Sequence, residues 1–150
     1  MKGCQEPSPQ GALVFAVDRI EILELLEQLM SDAGLCLRTF TDPHVALGEL
    51  ASAKPRPLVL LTGCLDSEGS GLELMRQCKE LEPELKLVLW SGMPEGLLAD
   101  LLTQARVVPD ARFCKGAGTD CLRLRQKLVA LAGLEPNGGT VERAPGLRDA

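Results

Sequence analysis

Short apolar runs alternate with longer amphipathic stretches five times along the chain. Ala12 to Val17, Cys36 to Phe40, Leu58 to Leu61, Leu85 to Trp90 and Ala111 to Cys114 are the candidate strands; Ala12 to Val17, Leu58 to Leu61 and Leu87 to Trp90 are apolar on successive residues, as strands covered on both faces must be. Between them apolar residues recur at helical spacing. Ile22, Leu25, Leu26, Leu29 and Ala33 form one stripe, with Gly34 expected to close that helix as a left-handed cap. Asp42-Pro43 opens a second helix, whose apolar side is Val45, Leu47 and Leu50. A third runs from Leu72 through Met75 and Cys78 to Leu81. The fourth starts at Pro94 and carries Leu97, Leu98, Leu101 and Leu102, and the fifth carries Cys121, Leu124, Leu128 and Leu131. Five strand-helix units predict an α/β chain with a parallel sheet: a doubly wound, flavodoxin-like three-layer sandwich with strand order 2-1-3-4-5.

Composition agrees with one domain of this kind. The chain has 150 residues, 45% apolar and 25% charged, and a chain this long buries roughly 70% of its unfolded surface without needing disulfides or metal. Residues 1–11 and 134–150 are rich in Gly, Pro and charge and lack periodicity. Both are read as flexible tails around a domain at 12–133. The longest apolar run, Ala12 to Val17, is far short of the ~20 residues that cross a bilayer. The polar stretch ahead of it does not resemble a secretory signal, so a cytoplasmic location is expected. With 16 basic against 21 acidic residues and no basic block, nucleic acid is not an expected partner. Three Phe and one Trp leave little to stack bases or a flavin. The six cysteines form no C-x-x-C pair and no zinc spacing, so reduced thiols are expected.

In a doubly wound sheet ligands gather beyond the carboxyl ends of the strands, near the point where strand order reverses. Asp18, Thr62, Ser91 and Lys115 stand at those ends. The flanking residues are Ala16-Val17-Asp18-Arg19-Ile20-Glu21-Ile22, Leu60-Leu61-Thr62 followed by Gly69-Ser70-Gly71-Leu72-Glu73-Leu74, Leu89-Trp90-Ser91-Gly92, and Pro109-Asp110-Ala111-Arg112-Phe113-Cys114-Lys115. Four such motifs, in this order, resemble the receiver domains of bacterial two-component signalling over about residues 12–132, closest in pattern to receivers attached to hybrid sensor kinases. The resemblance implies a signalling module rather than an enzyme, with protein partners such as a histidine kinase or an output domain. It also implies a pocket of Asp18, Ser91 and Lys115, with Thr62 at the phosphoacceptor position and Phe113 as the aromatic that follows the strand-four hydroxyl when the domain switches.

The chain departs from the receiver pattern where the chemistry lies. Receivers place two adjacent acids after strand one; Val17 and Asp18 align there, and only Asp18 is acidic. Thr62 replaces the acceptor aspartate, Gly116 replaces the proline after the lysine, one extra residue separates Thr62 from Gly71, and strand five is one residue short. An acyl phosphate needs a carboxylate, and Mg²⁺ needs anionic oxygens. Each carboxylate beside a dication contributes about 8 kcal/mol of gross attraction at ~4 Å and an effective dielectric near 20. Neutral hydroxyls do not replace two of them, and threonine without a nearby base is a poor nucleophile. The expectation is a degenerate, phosphorylation-independent receiver with no catalytic residue, no metal site, weak or absent Mg²⁺ binding and no cofactor. Asp18 and Lys115 are then left to pair across the pocket, while Asp18 also suits the start of the first helix.

Other readings are weaker. Asp66 or Glu68 in the loop after Thr62 is an alternative phosphoacceptor, and a small-molecule site on the same scaffold is a second alternative. Asp42-Pro43-His44-Val45-Ala46-Leu47-Gly48 resembles the D-x-H-x-x-G cobalamin motif, but with one residue too many and after the wrong strand. An FMN site lacks both a hydroxyl-rich first loop and an aromatic pair. Cys64 and Cys114 near the pocket suggest a thiol switch, against which stands the commoner role of buried cysteine as inert filler. Arg123, Arg125 and Lys127 on the fifth helix offer a charged contact surface or a solvated face.

Overall fold

The computed structural model describes residues 12–52, 56–65, 69–115 and 118–133. The stretches read as tails lie outside them, as do Asp66, Glu68 and Gly116. Five strands alternate with five helices: β1 Ala12–Val17, α1 Ile20–Leu29, β2 Leu35–Phe40, α2 Pro43–Ser52, β3 Val59–Thr62, α3 Ser70–Leu81, β4 Lys86–Ser91, α4 Glu95–Ala105, β5 Ala111–Cys114 and α5 Gly118–Leu131. All pairings are parallel, and the order is β2-β1-β3-β4-β5. This is the doubly wound flavodoxin-like arrangement that the alternation predicts.

Strand alternation splits the core into two layers. Leu13, Phe15, Val17, Leu60, Leu87 and Leu89 face α2, α3 and α4, where they meet Ala46, Leu50, Leu72, Met75, Cys78 and Leu98. Val14, Ala16, Val59, Leu61, Val88 and Trp90 face α1 and α5, against Leu23, Leu26, Met30, Leu124 and Leu128. No described helix is long and apolar enough to cross a membrane.

Several boundaries differ from the sequence reading by one or a few residues, β2 for instance starting at Leu35. β3 and β4 each lie one residue further on, because the ladder runs through Val17–Thr62 and Thr62–Leu89. The polar Thr62 is included as the last residue of β3, since its hydroxyl is satisfied locally by donating to the Gly63 carbonyl at 2.9 Å. α1 stops at Leu29, with Met30 as its C-cap. Gly34, at φ 81°, instead turns the chain into β2.

Cys78 is 2% exposed on α3, and burial pushes its thiol up to about 12 from an ordinary 9.0. Because the folded chain favours the neutral thiol, this group contributes stability below pH 9 that is lost as pH rises toward 12. Cys114 is exposed. In native protein at pH 8, iodoacetamide is expected to label Cys114 and leave Cys78 unmodified until denaturant is added. Equal labelling of the two in peptide mass maps counts against this packing.

Candidate functional site

The carboxyl ends of β1, β3, β4 and β5 converge on one cleft of about 290 Å³, bordered by Asp18, Arg19, Cys64, Ser91, Met93 and Lys115 among others. Asp18 follows β1 and is 6% exposed. Its Oδ1 accepts the Arg19 backbone N–H at 2.8 Å, and its Oδ2 lies 2.8 Å from Lys115 Nζ. The ion pair expected from the sequence is therefore formed directly. Lys115 is held at the end of β5 by its backbone N–H, which donates to the Ser91 carbonyl at 3.0 Å. Its ammonium also stands 5.9 Å from the centre of the Trp90 ring, within cation–π range. Ser91 Oγ accepts the Met93 N–H at 3.0 Å and lies 3.6 Å from Cys64 Sγ.

Thr62 is not the cleft-facing residue. It is 1% exposed, on the same side of β3 as Leu60, and its hydroxyl is turned to the Gly63 carbonyl. The position that points into the cleft is Gly63. A Cβ there would lie 3.0 Å from Asp18 Oδ2, 3.0 Å from Lys115 Nζ and 3.1 Å from the Trp90 carbonyl. Counted from Gly63, the extra residue before Gly71 disappears. The signal was present in that spacing, but a glycine has no side chain to suggest a role.

Two further assignments change. Val17 is wholly buried in the α2–α4 layer, and the neighbour of Asp18 that borders the cleft is Arg19. The two adjacent positions thus carry opposite charges instead of two negative ones. Phe113 pairs in register with Trp90 and packs on the α1/α5 side, so alternation turns it away from α4. The β5 residue that reaches α4 is Arg112, whose guanidinium lies 2.9 Å from Glu95. On α5, Arg125 is tied to α1 through the Leu29 carbonyl at 2.9 Å and Asp32 at 3.0 Å, which removes it from a free basic face.

Mg²⁺ of the receiver type does not fit the described residues. Among the described residues Asp18 is the only carboxylate bordering the cleft, both its oxygens are engaged, and no group of three His, Cys, Asp or Glu residues is placed to hold a metal ion.

No protein-family profile matches the sequence, and no curated protein matches it. Solved structures do match. The signal receiver domain of an HD domain-containing protein from Pseudomonas fluorescens is 22% identical with a TM-score of 0.64, over 80% of this chain and 94% of that one. A response regulator receiver protein from Sinorhizobium medicae is 19% identical with a TM-score of 0.67, over 84% and 98%. A CheY-like response regulator receiver domain protein from Methanospirillum hungatei is 16% identical with a TM-score of 0.64, over 82% and 97%. The fold of this chain is therefore the CheY-like fold of response regulator receiver domains.

Proposed function

We propose that this chain is a receiver-like signalling module of two-component type that works without covalent phosphorylation, by protein–protein contact, and is not an enzyme. The observation that carries the reading is Gly63. Where a receiver fold would present its acceptor carboxylate there is no side chain, and the cation that would meet the phosphoryl group is already neutralised by Asp18 at 2.8 Å. Thr62 offers no substitute, being buried with its hydroxyl committed, and no histidine borders the cleft to act as base. No cofactor is required by this reading, and its setting is the cytoplasm.

The partner surface we assign is the face of α4, β5 and α5. Leu97 is 50% exposed and Val108 is 86% exposed, and Arg106 and Arg112 border a 370 Å³ depression beside Val108. Apolar anchors beside the Arg106 guanidinium, with Arg112 paired to Glu95 at 2.9 Å, suit a partner segment that combines apolar and acidic side chains. A histidine kinase or an output domain would supply it.

The test is incubation with acetyl phosphate and Mg²⁺ followed by intact mass measurement. The natural chain is expected to keep its mass. A gain of about 80 Da, one phosphoryl group, would instead overturn this reading and favour the rival through Asp66 or Glu68. The double variant Arg19→Asp/Gly63→Asp restores two carboxylates beside Lys115 and is expected to acquire the gain in a Mg²⁺-dependent manner. Gly63 has no positive φ to forbid a side chain, and a Cβ there would meet the ends of Asp18 and Lys115 at 3.0 Å and the Trp90 carbonyl at 3.1 Å, so the paired side chains must give by a few tenths of an ångström.

A further inference from the structure

The cleft of this chain has the opposite charge balance to one built for a divalent cation. Among the described residues that border it, two cations, Arg19 and Lys115, stand against one carboxylate, Asp18. That carboxylate is turned inward. One oxygen faces the Arg19 backbone N–H and the other the Lys115 ammonium, so both are occupied by donors rather than offered to the opening. Lys115 spends one of its three N–H donors on this pair and keeps a side chain that is 20% exposed. Arg19 is exposed, and no partner is recorded for its guanidinium among the described residues. Ser91 Oγ accepts from the Met93 N–H and lies 3.6 Å from Cys64 Sγ, a contact in which either atom can donate; when the thiol donates, the Ser91 proton is left for a ligand. The missing side chain at residue 63 lets Asp18 and Lys115 close on each other, since a Cβ there would lie 3.0 Å from both.

We propose that this cleft binds a phosphate-type oxyanion non-covalently and without metal, between the Arg19 guanidinium, the Lys115 ammonium and the Ser91 hydroxyl. The planar fork of Arg19 suits two oxygens of a tetrahedral anion, and Lys115 supplies a point charge. A 290 Å³ volume lies at the small end of ligand sites, which fits inorganic phosphate or the terminal group of a phosphomonoester. Anion occupancy would pull Lys115 toward the opening and loosen its hold on Asp18, so the ligand regulates the same cleft that the receiver-like reading treats as uncoupled from covalent phosphorylation. The inference rests on that reading only in taking the cleft to be free of a covalent phosphoryl group.

Trp90 is the only tryptophan, and its ring centre lies 5.9 Å from Lys115 Nζ, so its fluorescence reports on the ammonium. Full-length protein in EDTA is titrated with inorganic phosphate and, separately, with phenyl phosphate, at constant ionic strength set with chloride. A saturable fluorescence change is expected, with unchanged intact mass and competition by sulfate. Arg19→Glu and Arg19→Gln, each checked for folding by circular dichroism, are expected to weaken it by about tenfold or more, equivalent to ~1.4 kcal/mol. The tighter of the two ligands identifies whether the free ion or an esterified phosphate is the natural occupant. A response matched by chloride, or one that survives in both Arg19 variants, overturns the proposal. A mass gain of about 80 Da in acetyl phosphate overturns the phosphorylation-independent reading instead, so the two failures are distinct.

Discussion

Replacing Gly71 with alanine is expected to lower the melting temperature by about 8 to 16 °C, from a loss of roughly 4 kcal/mol at 2 to 4 °C per kcal/mol for a chain of this size. Gly71 is the second residue of α3, and a Cβ there would lie 1.8 Å from the Gly63 carbonyl oxygen and 2.9 Å from its carbon. Ordinary overpacking costs about 1 to 3 kcal/mol because side chains rotate aside; here the obstruction is backbone and cannot. The start of α3 must withdraw from the end of β3, and the bond from the Gly71 N–H to the Cys64 carbonyl, 2.9 Å, goes with it. Cys64 borders the cleft, so the same change loosens one wall of the site. The sign is diagnostic, since Gly→Ala inside a helix normally stabilises by about 0.5 to 1 kcal/mol. Gly48 on α2 and Gly96 on α4 have open space around the same position, and alanine there is expected to raise the melting temperature. Thermal melts that place Gly71→Ala with those two controls would show that the close approach is absent.

The alternation of apolar runs and helical stripes was legible because parallel strands buried on both faces and helices on one face have different periods. β1 and β5 begin and end where the candidate strands do. The site was harder to read, for reasons that differ residue by residue. Thr62 looked like the functional end of β3 because it is the first polar residue there, yet its backbone stays in the ladder and its hydroxyl closes on the next carbonyl. Gly63 carries the decisive position through what it lacks. Arg19 carries no role in the sequence reading, which gives the start of the first helix to Asp18, although it supplies the second charge beside Asp18 at the cleft. Phe113 was drawn in by its aromatic type, while the alternation Ala111, Phe113 on one side and Arg112, Cys114 on the other sets its direction. Residue type located the cleft, and strand phase decided which side chains enter it.

Lys115→Met is expected to cost about 3 kcal/mol, toward the low end for breaking a buried ion pair by removing one partner. The Lys115 side chain is 20% exposed and that of Asp18 is 7% exposed, so the methionine variant strands the carboxylate, the group less able to recover water. Methionine keeps most of the apolar stem beside Trp90, which confines the loss to the charge, its bond to Asp18 and the cation–π contact. Asp18→Asn is expected to cost less, about 1 to 2 kcal/mol, because the ammonium left behind can turn to solvent. The double variant Asp18→Asn/Lys115→Met removes both charges and is expected to be more stable than Lys115→Met alone, giving a coupling of about 1 kcal/mol or more in urea melts. Added salt should change that coupling little, since a buried pair is screened less than an exposed one. Strict additivity of the two single changes would mean that the pair is a contact without energetic consequence. In that case the link from the β1–α1 turn to the β5–α5 turn could not hold the proposed partner face of α4, β5 and α5 in one state, and Lys115→Met would leave partner affinity unaltered.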